Sequence, residues 1–312
     1  MSTRFDRLGK LVRRGGRSVL PGGGATPTTI SGIVAHGEVL TSTGSGQWYA
    51  GATPIAGETG STYTVDRADG TIGPDITQDN GSGASNALRY DPALHWRDVY
   101  DPAVGVSDTS GDVDAWDTRT ATGNNLEKTG DVARPSLIAS DVDFGGGPAI
   151  QFNGVAEKLR VVAYDAGDTV DEISLFVWGR IDTAAASDVW LAYGDGTGSV
   201  RLRQAAGPLT QLSSFGGTGN ATSTSTTTVS GAQLVGGTWI AGGDQTARYG
   251  ATAEDTDTNT RAALADDLSL YLGSAHDGSA TAAITVGLVC VDTAVSEDKI
   301  ADLAEYVTWR GL

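Results

Sequence analysis

Cysteine is almost missing from this chain: Cys290 is the only one in 312 residues. That excludes an intrachain disulfide and any zinc site built on cysteines. Cys290 lies in the apolar run 284–291, where nothing lowers a thiol pKa, so it reads as a buried structural thiol rather than a nucleophile. Histidine is scarce too. His36, His95 and His276 are far apart and lack metal-ligand spacing. No HExxH, GxSxG, P-loop or strand-borne GxGxxG pattern occurs, so the common metalloprotease, hydrolase and nucleotide-binding chemistries have no footing, and no cofactor is called for. No run of about 18 apolar residues exists, which argues against a helix inserted in a membrane. Basic residues are few outside the first 24. Net charge is −17, and Arg4, Arg7, Lys10, Arg13, Arg14 and Arg17 oppose Asp6 alone in that first stretch. An acidic body repels nucleic acid.

What the chain has in quantity is glycine, 44 residues, against an average usage of roughly 7%. No Gly-X-Y period accompanies it, which excludes collagen. Glycine with Thr, Ser, Asp and Val points to many short strands and tight turns, an all-β architecture. The length allows roughly two domains at about 150 residues each.

Three regions follow. Residues 1–28 form a basic arm. Phe5, Leu8, Leu11 and Val12 fall at helical spacing, and the glycines around them limit a helix to one or two turns. With Arg4, Arg7, Lys10, Arg13 and Arg14 they suggest either a disordered tail or a peg that docks on an acidic surface or another copy of the chain. Behind the basic residues there is no apolar h-region, so the expectation is no secretory signal. Residues 29–90 carry an apolar set including Leu40, Trp48, Tyr63, Val65 and Ile76, with turn signals between its members. Residues 91–312 form the larger unit. Strands are expected at 158–164, 172–181, 188–193, 199–203, 238–242, 268–273 and 280–291. Segment 172–181 is apolar on both faces, as a central strand covered on both sides or beside a groove would be. Residues 216–230 are low in complexity and read as a loop or an edge strand. A final helix has Ser296 as cap, Glu297 and Asp298 in its first turn, and the stripe Ile300, Leu303, Ala304 and Val307 to lay on a sheet.

The middle region, with Ile30-Ser-Gly32, Gln47-Trp48-Tyr49, Pro54-Ile55, Thr62-Tyr63-Thr-Val65 and Ala68-Asp69-Gly70, resembles the bacterial and phage Ig-like domains of surface and virion proteins. That implies Trp48 at the core of a small sandwich. The larger unit opens with Leu94-His-Trp96, Trp116-Asp117, Arg134-Pro135 and Pro148-Ala-Ile-Gln-Phe152-Asn153-Gly154, and closes with Ser296-Glu-Asp-Lys-Ile300 in a helix after a last strand. It is similar to a concanavalin A-like jelly roll of the laminin-G-like type, a fold used for glycan binding or as an inert spacer. Together the resemblances imply a tailed-phage virion protein, assembled in the host cytoplasm and exposed on the particle. Its expected partners are other virion proteins, copies of itself and host surface glycan, as a tail-tip or fibre component. A capsid decoration or head-spike protein without ligand is the alternative, and a glycan-degrading enzyme the third reading. The family's Glu-x-Asp-x-x-Glu strand is not in this sequence, which weighs against the enzyme.

Stacking of rings on pyranose faces makes Trp178, Trp190, Tyr193 and Trp239 the candidate glycan contacts, with core packing as their other reading. Loop tips at Asp195-Gly-Thr-Gly198 and His276-Asp277-Gly278 offer weak Ca²⁺ candidates in Asp195 and Asp277. Asp112, Asp114 and Asp117 around Trp116 read as turn and surface residues.

Overall fold

The computed structural model describes residues 26–128, 133–167, 169–183, 188–195, 198–205, 207–215, 221–275 and 281–311. The arm positions Arg4 to Arg14, and the loop with His276 and Asp277, lie outside the described residues. What is described is nearly all β, with one helix at the C-terminal end.

The small unit is a sandwich of two three-stranded antiparallel sheets. One pairs Ile30–Ser31, Val39–Ser42 and Thr62–Thr64; the other pairs Thr53–Pro54, Gln47–Ala50 and Ile76–Asp79. Alternation along these strands sends Leu40, Trp48, Tyr63 and Ile76 inward. Trp48 is fully buried and its indole N–H donates to the Gly60 carbonyl at 3.0 Å. Beyond Ile76–Asp79 the chain adds only isolated bridges, Ile76 to Leu88 and Asp79 to Ala84, because residues 80–89 have little apolar content to hold a further strand.

The large unit is a two-sheet jelly roll. In the first sheet the strand order is Thr252–Thr258, Asp244–Tyr249, Gln233–Ile240, Glu172–Thr183 and Ala283–Asp292. The far edge of Ala283–Asp292 is shared by Asp98–Tyr100 and Ala149–Asn153, with Ser136–Ile138 outside the latter. The second sheet runs Val106–Thr109, Asp112–Trp116, Leu126–Lys128, Leu159–Val161, Leu270–Leu272, Val189–Gly194, Ser199–Gln204, Thr210–Phe215 and Thr222–Thr224. A single pair, Ser136 with Asp112, joins the sheets along one edge. Between them lies one continuous core, with Trp116, Phe152, Ile173, Leu175, Val177, Leu191, Leu202 and Trp239 in it.

Strand Glu172–Thr183 is covered on both faces. Ile173, Leu175 and Val177 enter the inter-sheet core, whereas Phe176 and Trp178 point the other way into a second cluster with Leu288, Cys290 and Phe144. The helix Glu297–Arg310 roofs that second cluster with Ile300, Leu303, Tyr306 and Val307. Each of these four, fully buried, is worth about 1.5–3 kcal/mol in apolar area removed from water. Ser296 caps the helix, its hydroxyl accepting from the Lys299 N–H at 3.2 Å. The small unit packs on the far side of the same helix. Arg67 donates to Asp302 at 2.8 Å and to Asp298 at 2.7 Å, and the His36 N–H reaches Asp302 at 2.9 Å.

One strand departs from the sequence expectations. The strand expected at 238–242 runs instead over Gln233–Ile240 and includes Gly236-Gly237, a pair that looks like a turn. It is required by close approach: a Cβ on Gly236 would stand 2.4 Å from the Leu175 carbonyl oxygen and 2.5 Å from the Phe176 ring. Part of the low-complexity stretch, expected as a loop or an edge strand, forms the edge strand Thr222–Thr224, and carboxylates seal it. Asp255 accepts from the Thr224 N–H at 2.7 Å, and Glu254 from those of Thr226 and Thr227 at 2.8 and 2.9 Å. Side chains of the first sheet thereby satisfy backbone donors at the edge of the second, the groups an open edge would expose.

Candidate functional site

The four rings expected to meet sugar are all enclosed. Tyr193 and Trp239 face the inter-sheet core because their alternation matches that of Leu191 and Val235. Trp190 joins them because a bulge between Val189 and Leu191 turns its ring inward. Trp178 lies under the helix, edge-on to Phe144 at 5.0 Å, with the Arg310 guanidinium 5.6 Å above it. As placed here none can stack on a pyranose; each serves packing. Asp195 is also occupied. Its carboxylate accepts from the Gly198 N–H at 3.1 Å, and the Arg261 guanidinium packs against Gly198, where burial lowers its pKa and the Asp195 charge partly opposes that. Asp114 sits between Lys128 at 2.7 Å and Arg134 at 3.0 Å, and hydrogen bonds from Lys128 and Thr109 hold its carboxyl below the usual range. Among the described residues, no group of three or more His, Cys, Asp or Glu is placed to hold a metal ion, and no helix is long and apolar enough to cross a membrane.

A different set of residues converges on the outer face of the second sheet. Leu159, Val161, Leu270, Leu272, Leu191, Val200, Leu202 and Leu212 fill the core, so their strand neighbours point outward. Register then lines up a cross-strand row: Glu127 opposite Arg160, Arg160 opposite Tyr271, Tyr271 opposite Ala192, Ala192 opposite Arg201, and Arg201 opposite Ser213. Arg203 and Gln211 form the next row. At about 4.8 Å per strand, Arg160 and Arg201 stand roughly 14 Å apart at their Cα atoms, and Arg201 and Arg203 about 7 Å.

The middle of this face is a small buried apolar cluster of Val189, Ala192, Tyr271 and Ala275, none more than 6% exposed. Arg160 lays its guanidinium over the Tyr271 ring, 5.8 Å from the centroid, in cation–π range. It makes no ion pair among the described residues, and its Nε is buried without a hydrogen-bond partner there. Arg201 donates from Nε to Ser199 at 2.8 Å, and Arg203 from Nε to Ser213 at 3.1 Å. Burial first, then the neighbouring Arg201 cation, lower the Arg203 guanidinium below its usual range. Gln211, Ser213, Thr222 and Thr224 continue the face as a lattice of hydroxyl and amide groups. Chemically, this is a closed apolar cluster bordered by half-buried guanidinium donors and hydroxyls, with Glu127 at its margin.

Sequence reasoning did not single out Arg160, Tyr271, Arg201 or Arg203. A signal existed in Ser199-Val-Arg-Leu-Arg203, whose alternation puts both arginines on the face opposite Val200 and Leu202.

Comparisons with protein families and with curated proteins find no match to the sequence. Solved structures do resemble the fold. A single-site mutant of HCR/D superposes with a TM-score of 0.50 at 7% identity, over 67% of this chain and 52% of that one. A Trypanosoma rangeli sialidase bound to a difluorinated keto-deoxy-nononic acid gives 0.45 at 16% identity, over 72% of this chain and 34% of the sialidase. The botulinum neurotoxin serotype D ligand-binding domain in complex with N-acetylneuraminic acid gives 0.46 at 7%, over 69% and 51%. The match thus spans a third to a half of these chains, and at such identities the likeness concerns the jelly-roll fold alone.

Proposed function

We propose that the chain is a non-enzymatic structural protein of a virus particle, held by its basic N-terminal arm, with the jelly roll displayed outward to adsorb host-surface glycan. One observation carries the glycan half of this reading: the two sheets have opposite outer faces. The first is closed over by the helix and the small unit. The second carries the half-buried Arg160, Arg201 and Arg203 with Gln211 and Thr224, donors suited to a polyhydroxylated ligand rich in hydrogen-bond acceptors. Donors on that face, rather than two carboxylates flanking a bond, support adsorption over hydrolysis. The virion half is supported by the pairing of an Ig-like unit with a terminal jelly roll behind a basic arm.

The test is a glycan array probed with the full chain and with the Arg201→Gln/Arg203→Gln double variant. Binding to surface polysaccharides that the double variant loses is the expected result. An array with no binding overturns the glycan reading and leaves a decoration protein without ligand.

A further inference from the structure

The cover over the first sheet ends where the helix Glu297–Arg310 begins. There the outer face of strands Gln233–Ile240 and Asp244–Tyr249 is left in an open cleft of about 280 Å³. Alternation puts Thr238 and Thr246 on its floor, opposite one another in register, because Trp239 and Ala247 face the core. Three carboxylates line it, those of Glu172, Asp244 and Glu297, against the single guanidinium of Arg248. Glu172 accepts from the Val295 N–H at 3.2 Å and Asp244 from the Thr258 hydroxyl at 3.2 Å, and neither has an ion pair among the described residues. Arg248 donates to Glu297 at 2.9 Å, yet it is only 6% exposed and keeps a buried Nε without a hydrogen-bond partner there. Ile240, 40% exposed, and the half-buried Val295 add an apolar wall. Together these groups suit a basic peptide, with cations for the carboxylates, an apolar side chain for the wall and a backbone carbonyl for Nε.

One segment of this chain has that composition. Residues 4–14 hold Arg4, Arg7, Lys10, Arg13 and Arg14 with Phe5, Leu8 and Leu11, against Asp6 alone, in a protein of net charge −17. Where the chain enters the described structure decides whose cleft they meet. The Thr26 carbonyl accepts from Asn80 Nδ2 at 3.1 Å, and Pro27 lies beside Gly83. That is the end of the small sandwich opposite His36 and Arg67, which face the helix. The chain from Arg14 to Thr26 spans at most roughly 40 Å, and a path to its own cleft turns back along the whole sandwich and past the helix. We infer that the basic arm of one copy docks in the Glu172–Asp244–Glu297 cleft of a second copy. This rests on the reading of the N-terminal arm as the anchor and names the surface that holds it. Arm to cleft is a head-to-tail contact, so it repeats from copy to copy and builds a ring or a row.

The experiment mixes light and heavy-isotope-labelled full chain, couples amines to carboxylates with a zero-length carbodiimide, and identifies the linked peptides by mass spectrometry. Expected are links from Lys10 to Glu172, Asp244 or Glu297, with light-to-heavy pairs among them. Sedimentation of the full chain should show self-association at about 10–100 μM, the range of a small polar interface, weakening as salt rises. Glu172→Gln/Asp244→Asn keeps both hydrogen-bond acceptors and should weaken that association about tenfold, as should Arg4→Gln/Arg7→Gln, with the melting temperature held within a few degrees. Glu127→Gln, on the second sheet, should leave it unchanged. Links to the cleft that never join light to heavy chain place the arm on its own body and overturn the second copy as partner. Association that ignores Glu172→Gln/Asp244→Asn overturns the cleft. A monomer without links from Lys10 to the cleft overturns the inference while the anchoring reading stands, the arm then holding a different protein of the particle.

Discussion

Replacing Asp302 by alanine should loosen the small unit from the jelly roll. The residue is 2% exposed and sits on the helix that both units share. Its two oxygens accept from Arg67 at 2.8 Å and from the His36 backbone N–H at 2.9 Å. Removing the carboxylate strands a half-buried guanidinium and a backbone donor. Breaking a buried pair from one side costs about 3–5 kcal/mol. Asp302→Asn keeps an acceptor and loses only the charge, so its cost should fall to about 1–3 kcal/mol. The contact of Arg67 with Asp298 adds little, because that carboxylate is open to water. Urea unfolding followed by tryptophan fluorescence gives the free energies. A double-mutant cycle with Arg67→Ala isolates the pair, and a coupling of about 0.5–3 kcal/mol is expected. Additive effects of the two substitutions would refute the clasp.

Three further outcomes follow from burial. Trp116→Ala should destabilise the protein by about 3–5 kcal/mol, because the ring is fully enclosed and edge-on to Tyr100 at 5.9 Å; an unchanged melting temperature would contradict the placement of strand Asp112–Trp116. His95 stacks on Tyr90 at 4.9 Å with a buried Nε2 that lacks a partner, and burial lowers its pKa. The unfolded chain therefore takes up this proton first. The stabilisation is full above the unfolded value of about 6.5 and declines as pH falls through it. Melting temperatures from pH 8 to 5 should show that decline in the parent protein and a weaker one in His95→Phe; identical slopes would refute it. Burial also raises the Cys290 thiol well above its usual range, so a thiol reagent should label it in denaturant and leave it untouched in the native protein.

Much of the scaffold could be read from residues near one another in the chain. Ser296 with Glu297 and Asp298 marks a helix start locally, and Ile300, Leu303 and Val307 mark its buried stripe. Both apolar faces of 172–181 announced cover on two sides, supplied by the inter-sheet core and by the helix. Contacts between distant segments were not legible. Gly236-Gly237 signals a turn unless Leu175 and Phe176 are known to press on it. The same holds for the candidate site. Arg160, Tyr271 and Arg201 belong to separate strands, and only the register of the second sheet places them in one row. The four aromatic rings singled out for sugar are enclosed, because ring type says nothing of facing, and a bulge at Trp190 overrode even its alternation.

The central claim is that ligand lies on the outer face of the second sheet. The most direct test is hydrogen–deuterium exchange of the full chain with and without a surface polysaccharide that it binds on the array. Protection should appear in Leu159–Val161, Leu270–Leu272 and Ser199–Gln204 and leave the helix Glu297–Arg310 unchanged. Protection confined to the helix and the small unit would contradict the claim.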